Sequence, residues 1–220
     1  MSMVWKIADI DRPNSLATMM RRKSFAHFTS LLDKLTRPVT ILDVGGTPSF
    51  WHQMGFAHQP GVEIILLNVA PIATAAAGFS SVIADARQMN AFDDQRFDVV
   101  FSNSVIEHVG TFEQQRQMAR EVVRVGRRYF VQTPNYSFPI EPHFLFPFFQ
   151  FLPFPLQVIL QSNFDLGWFK RTQDRQVAAA LVRSIRLLTE RELKLLFPGA
   201  HLYKERIAGL TKSFIVYGGW

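Results

Sequence analysis

Cysteine is absent from the 220 residues, which excludes disulfides, thiolate nucleophiles and every cysteine-ligated metal centre together. Histidine with carboxylates remains as a metal route. However, His27, His52, His58, His108, His143 and His201 show no HExxH or other tight ligand spacing, and no metal is expected. Charged residues make up only 19% of the chain against 48% apolar, a balance that excludes disorder and supplies a sizeable core. No apolar run approaches the roughly 20 residues of a membrane span. The most hydrophobic zone, 144–160, is cut by Pro147, Pro153 and Pro155 and carries Gln150 and Gln157. Residues 1–15 contain Asp9 and Asp11 and lack the apolar stretch of a leader peptide, so a cytoplasmic chain is expected.

Basic residues outnumber acidic ones by 24 to 18, a net charge of +6. Such a balance suits nucleic acid, an anionic membrane surface or an anionic substrate, but it also describes a merely basic globular protein. The basic residues are spread out. The densest clusters, Arg21-Arg22-Lys23 and Arg124, Arg127, Arg128, are too short for a nucleic-acid tail.

Apolar runs at 39–44, 62–67, 81–84, 97–101 and 129–132 read as buried strands. Between them the pattern turns helical. Asn14 and Ser15 offer a cap for a helix over 15–36 that Pro38 stops, and Thr111 with Gln114 makes a capping box for a helix ending at Gly126. Continuous apolar strands interleaved with helices predict a doubly wound α/β fold, with a mostly parallel sheet covered on both faces. Thr189 caps a further helix through Phe197, and 201–207 with 211–217 reads as a closing hairpin. The region 134–175 breaks the rhythm. It holds nine of the 21 phenylalanines, with prolines at 134, 139, 142, 147, 153 and 155 and no clean period. It is expected to be an insertion within one domain spanning 1–220, with 1–37 as an N-terminal helical segment.

Gly45-Gly46, directly after the first strand, lets a ligand approach the backbone at the crevice where such folds bind cofactors. The dinucleotide fingerprint is missing, and Pro48 withdraws a donor that a pyrophosphate needs. A cofactor without phosphate fits better. Asn68 stands where a ribose-binding carboxylate is expected, and Asp85 follows the third strand between Ala84 and Ala86. Taken alone, Asp85 reads more readily as a turn or cap residue. Glu107-His108 follows the fourth strand, where a histidine can accept a proton near neutrality. His143, flanked by Pro142 at the mouth of the insertion, is a second candidate, with Tyr136 and Glu141 nearby. Ser104 and His108 lie four apart, but no G-x-S-x-G elbow surrounds Ser104.

Together, Ile41-Leu-Asp-Val-Gly-Gly46, Ala84-Asp85 and Phe97-Asp-Val-Val-Phe-Ser-Asn-Ser-Val-Ile-Glu-His-Val109 resemble the class I S-adenosylmethionine-dependent methyltransferases of the type 11 group. The resemblance covers about 39–135, with a further match in the tail at Phe197-Pro198 and Gly209-Leu-Thr-Lys-Ser213. It implies about seven strands with the last antiparallel, S-adenosylmethionine as cofactor, and methyl transfer to a small-molecule acceptor. It implies that Asp43, Gly45, Gly46 and Thr47 border the methionine and ribose, and that Asn68 meets the ribose. Asp85 with Ala86 would meet the adenine, and Ser102, Asn103 and Ser104 would form the floor beside the methionine moiety. Asn68 replaces the family's carboxylate and Thr47 its second loop glycine. These departures keep open a non-catalytic binding or scaffold protein on the same fold.

The aromatic insertion reads as a lid over an apolar acceptor, as a peripheral membrane contact, or as extra core and homodimer surface. It lacks the basic–aromatic alternation of a nucleic-acid surface. Because it follows the fifth strand at the cofactor edge, it is expected to wall the acceptor, with Phe138, His143 and Phe144 nearest the methyl group.

Overall fold

The computed structural model describes residues 15–73 and 78–220; the N-terminal part of the expected 1–37 segment, residues 1–14, lies outside them. Five apolar runs become strands: β1 (Val39–Val44), β2 (Val62–Asn68), β3 (Phe79–Ile83), β4 (Val99–Asn103) and β5 (Tyr129–Pro134). A short hairpin of β6 (Ile140–Glu141) and β7 (Phe146–Pro147) follows, then β8 (His201–Ile207) and β9 (Leu210–Gly218). The large sheet has seven strands in the order β3-β2-β1-β4-β5-β9-β8. The first five are parallel, and β9 runs antiparallel between β5 and β8. The order reverses between β1 and β4, which opens a crevice at their carboxyl ends.

Helices α1 (Leu16–Leu32), α2 (Pro48–Gln53), α3 (Phe112–Val125), α4 (Phe154–Asn163), α5 (Arg175–Arg183) and α6 (Glu190–Leu196) surround the sheets. Alternate strand residues feed two cores. Ile41, Ile64, Val99 and Phe101 pack with Phe25 and Phe28 of α1 and Trp51 of α2. Leu42, Val44, Val100 and Val131 pack with Met118 and Val122 of α3 and Leu193 of α6. Burial on both faces is why these strands read as unbroken apolar runs.

Several boundaries move. α1 ends at Leu32 rather than near 36, because Lys34 and Leu35 donate to Leu31 and Leu32 carbonyls in tight turns. The third strand begins at Phe79, and the fourth begins at Val99 because Phe97 makes only a lone bridge to Gly126. Ser15, Thr111 and Thr189 cap their helices, the last two in complete capping boxes. The insertion has a core of its own, formed by Phe144, Phe149, Val158 and Leu166 with Ala178 and Val182. It therefore extends past 175 into α5, a helix the sequence reading did not anticipate, which Asp174 caps. Among the described residues, no helix is long and apolar enough to cross a membrane.

Candidate active site

The glycine loop is built by close contacts. Gly45 has φ +76°, and a Cβ there would stand 2.5 Å from Val105 Cγ2. At Gly46 an added Cβ would lie 1.6 Å from Asp43 Oδ2. That carboxylate is buried and accepts from Trp51 Nε1 at 2.7 Å. Burial pushes the Asp43 carboxyl up to about 7, against the opposing effect of the Trp51 hydrogen bond. Thr47 stands at the N-cap of α2, with Pro48 in its first turn and its hydroxyl 2.9 Å from Ser49 Oγ. Asn68, at the end of β2, donates from Nδ2 to the Gly46 carbonyl at 3.0 Å. A carboxylate in this place has no proton to give that carbonyl, so the amide braces the loop. Asp43, Gly45, Gly46 and Thr47, with Phe50 and Asn103, line a cavity of about 210 Å³.

The other predicted cofactor residues divide. Arg87 holds both oxygens of Asp85, Nε to Oδ1 at 2.9 Å and Nη2 to Oδ2 at 2.6 Å, and the Arg87 N–H adds an Asx-type turn. The Arg87 hydrogen bond holds the Asp85 carboxyl below its ordinary range. Ala86 is buried in the α3-side core. Ser102 is fully buried, its Oγ 3.4 Å from the Val44 carbonyl, so it supports the crevice from within the sheet. Asn103 reaches the crevice. Ser104 sits beside it at φ +57°, a strained conformation for a non-glycine residue, and bonds Gln132 Oε1 at 2.9 Å.

A second cavity, of about 440 Å³, adjoins the first. Arg21 and Asn103 line both. Its walls are mainly apolar: Met20 from α1, and Phe138, Ile140, Leu145 and Trp168 from the insertion. Its polar side is a buried relay in which Ser104 bonds Gln132, Gln132 Nε2 reaches Glu205 Oε2 at 3.3 Å, and Ser213 Oγ donates to Glu205 Oε2 at 2.6 Å. Ser24 also bonds Glu205. Burial and the nearby Arg21 charge lower the Lys212 ammonium, with Glu205 opposing. Sequence reasoning missed Arg21, Gln132 and Glu205 as site residues. Ser104, Phe138 and His143 were expected at the site, and Lys212 and Ser213 were signalled through the tail segment.

His143 lines this second cavity. Its Nδ1 lies 2.7 Å from Glu141 Oε1, while Glu141 Oε2 accepts the backbone N–H groups of His143 and Phe144 at 2.7 and 2.6 Å. This arrangement assigns the proton to Nδ1 and leaves Nε2 as the free nitrogen. Despite burial, the Glu141 hydrogen bond and the Glu141 and Glu107 charges raise His143. His108 does not line the cavity; its ring meets His143 edge-on, with centroids 4.8 Å apart. Burial and the His143 charge push His108 down to about 4. Glu107 is fully buried and accepts from Thr133 Oγ1 at 2.9 Å; burial pushes it up to about 7. Phe144 does not wall this cavity. It is buried against Phe149, centroids 4.1 Å apart, in the insertion's own core, because the backbone turn fixed by Glu141 points it inward while His143 faces the cleft.

The profile of a methyltransferase domain family, type 11, matches residues 42–129, the stretch from β1 to the start of β5 that carries the glycine loop and Asn103. An uncharacterized protein of Mycobacterium tuberculosis is 37% identical over 67 residues, 30% of this chain and 23% of that protein. The aligned stretch thus spans about a quarter of that relative's length. Among solved structures, the CurJ carbon methyltransferase superposes with a TM-score of 0.60 at 12% identity, covering 96% of this chain and 56% of that one. A Burkholderia thailandensis 1,6-didemethyltoxoflavin-N1-methyltransferase, with 1,6-didemethyltoxoflavin and S-adenosylhomocysteine bound, gives 0.55 at 14% identity, covering 90% and 76%. At these identities the likeness is one of fold. Residues 42–129 match the model of that methyltransferase domain, within a seven-stranded sheet of the same fold class.

Proposed function

We propose that this methyltransferase domain transfers a methyl group from S-adenosylmethionine to a small, largely apolar acceptor. The observation that carries the reading is the pair of adjoining cavities, about 210 and 440 Å³, which share Arg21 and Asn103. One has a polar, glycine-lined wall at the switch point of the sheet, and the other a mainly apolar wall closed by the insertion.

The residues present suit the cofactor. Gly45 forms a cradle that a side chain would fill, and the loop offers no pyrophosphate-binding helix turn, since Pro48 occupies it. Asp43, Gly45, Gly46 and Thr47 would border the methionine and ribose, and Asn68 would present its oxygen to the ribose while its amide holds Gly46. Asp85 and Ala86 would border the adenine, with Arg87 fixing the carboxylate, and Asn103 and Ser104 would floor the methionine moiety above Ser102. When bound, the cofactor supplies a methyl group already electrophilic on a sulfonium. What remains for the chain is alignment, a proximity effect that reaches about 7–11 kcal/mol in well-oriented cases. Phe138, Ile140 and Trp168 exclude water, Asn103 and Arg21 set the boundary between the two ligands, and His143, oriented by Glu141, takes the acceptor's proton at Nε2.

Calorimetric titration with S-adenosylhomocysteine tests the cofactor half, and a panel of small molecules with isotope-labelled methyl donor tests the acceptor half. Ile140→Trp, which fills the second cavity, should leave cofactor binding intact and abolish transfer to the acceptor so found. Absence of binding by either cofactor form at millimolar concentration overturns the reading.

A further inference from the structure

The sequence shows no metal-ligand spacing, yet the fold brings Glu107 and His108, just after β4, against His143 of the insertion, 35 residues on from His108. One ligand atom from each lies within 4.8 Å of the others. We propose that these three side chains form a binding site for one divalent transition-metal ion, of which Zn²⁺ is the representative, on the acceptor side of the cleft.

Four observations carry this. Glu107 is completely buried, and its Oε1 has no hydrogen-bond partner, although Thr133 satisfies Oε2. A buried oxygen left unpaired costs about 1–3 kcal/mol, more if charged, and a coordinated cation removes that cost. Glu141 engages Nδ1 of His143, leaving Nε2 to ligate; a carboxylate behind a ligating imidazole is the usual outer partner of a metal-bound histidine. His108 stands just after β4 next to Glu107 in sequence and faces the His143 ring. Finally, two imidazoles, brought together edge-on with centroids 4.8 Å apart, and one carboxylate make a donor set that suits zinc or iron(II) with coordination positions left open, and not the all-oxygen shells of Mg²⁺ or Ca²⁺.

The geometry asks for a modest contraction. Bonds of about 2.0–2.2 Å place tetrahedral ligand atoms roughly 3.5 Å apart, so the three must draw in by about an ångström. His108 is exposed as a residue, although its ring is packed at His143, and it belongs to none of the hydrophobic cores, so the contraction falls on it and not on the core. Nε2 of His143 cannot serve an ion and accept a proton at once. Ion loading and the base role proposed above therefore exclude each other, and the site stands whether or not the methyl-transfer reading does.

The test is ion binding to the full chain stripped with a chelator. Titration with Zn²⁺ should show one saturable site at micromolar free ion, Co²⁺ should give the visible absorption of a nitrogen–oxygen site, and a large excess of Mg²⁺ should not compete. His108→Ala and His143→Ala should each abolish the Co²⁺ signal. Glu141→Gln, which spares all three ligands, should weaken binding by about 10–100-fold. Glu107→Gln should also lose the ion. Because this change is buried, His108→Ala, at an exposed position, keeps the test independent of folding. Absence of saturable binding, or binding unchanged in His108→Ala and His143→Ala, overturns the proposal. In that case Glu107 Oε1 simply carries a proton. S-adenosylhomocysteine affinity, read separately, decides the fate of the methyl-transfer reading.

Discussion

Replacing Gly46 with alanine tests how the glycine loop is held. No positive φ is involved at this residue; the constraint is the 1.6 Å between an added Cβ and Asp43 Oδ2. The Asp43 side chain must move, and it is buried with Trp51 Nε1 bonded to it at 2.7 Å. Losing that bond inside the core costs about 1–3 kcal/mol, and forcing extra volume into a packed site costs about 1–3 kcal/mol more. The expected destabilisation is therefore about 2–6 kcal/mol, or roughly 4–24 °C of melting temperature for a chain of this size. Gly55→Ala is the control: nothing lies within 4 Å of its Cβ, and only the φ of +68° is strained, a cost of about 1–2 kcal/mol. Differential scanning calorimetry of both variants, and of Gly46→Ala in an Asp43→Ala background, completes the comparison. Alanine at 46 should cost markedly less once the Asp43 carboxylate is gone, a coupling of about 1–3 kcal/mol. An equal cost in both backgrounds, or a Gly46 variant no worse than the Gly55 one, refutes the steric argument.

Asp43→Asn should flatten part of the pH dependence of stability. The folded pKa of about 7 lies above the unfolded value of 3.8, so this group favours the fold fully below about pH 4 and progressively less up to about pH 7, with no further change above. The wild-type chain should lose up to about 4 kcal/mol relative to the variant across that window, and parallel curves in denaturant titrations would contradict it. Asn68→Asp should weaken S-adenosylhomocysteine binding by roughly fivefold, about 1 kcal/mol, because the donor to the Gly46 carbonyl is lost; calorimetry showing tighter binding would mean the brace is unimportant. Thr189→Ala removes the capping box of α6 and should cost about 1 kcal/mol, a melting shift of about 2–4 °C.

The central strands were legible because both of their faces are buried, leaving unbroken apolar runs that need no knowledge of partners. β3 was misplaced by two residues because it lies at the sheet edge with none of its residues buried, and Ser80 and Ser81 interrupt its apolar pattern. Capping boxes at Thr111 and Thr189 were legible because their chemistry is local. The insertion was not, since its aromatic residues pack on one another across short turns rather than along any repeating face. At the site, the glycine loop could be read from its place after β1. The brace from Asn68 could not, because it depends on where the Gly46 carbonyl points. Arg21 looked like one of a surface cluster until α1 laid it across both cavities, and Glu205 lies in a strand far along the chain. Glu107 and His143 meet only because the insertion folds back over the end of β4.

The most direct test of the account is a crystal structure with S-adenosylhomocysteine bound. The account predicts the homocysteine against Gly45, Gly46 and Thr47, the adenine toward Asp85 and Ala86, and the sulfur at Asn103, facing the cavity walled by Phe138, Ile140 and His143. Ligand density in the second cavity instead, or none at saturating concentration, would contradict it.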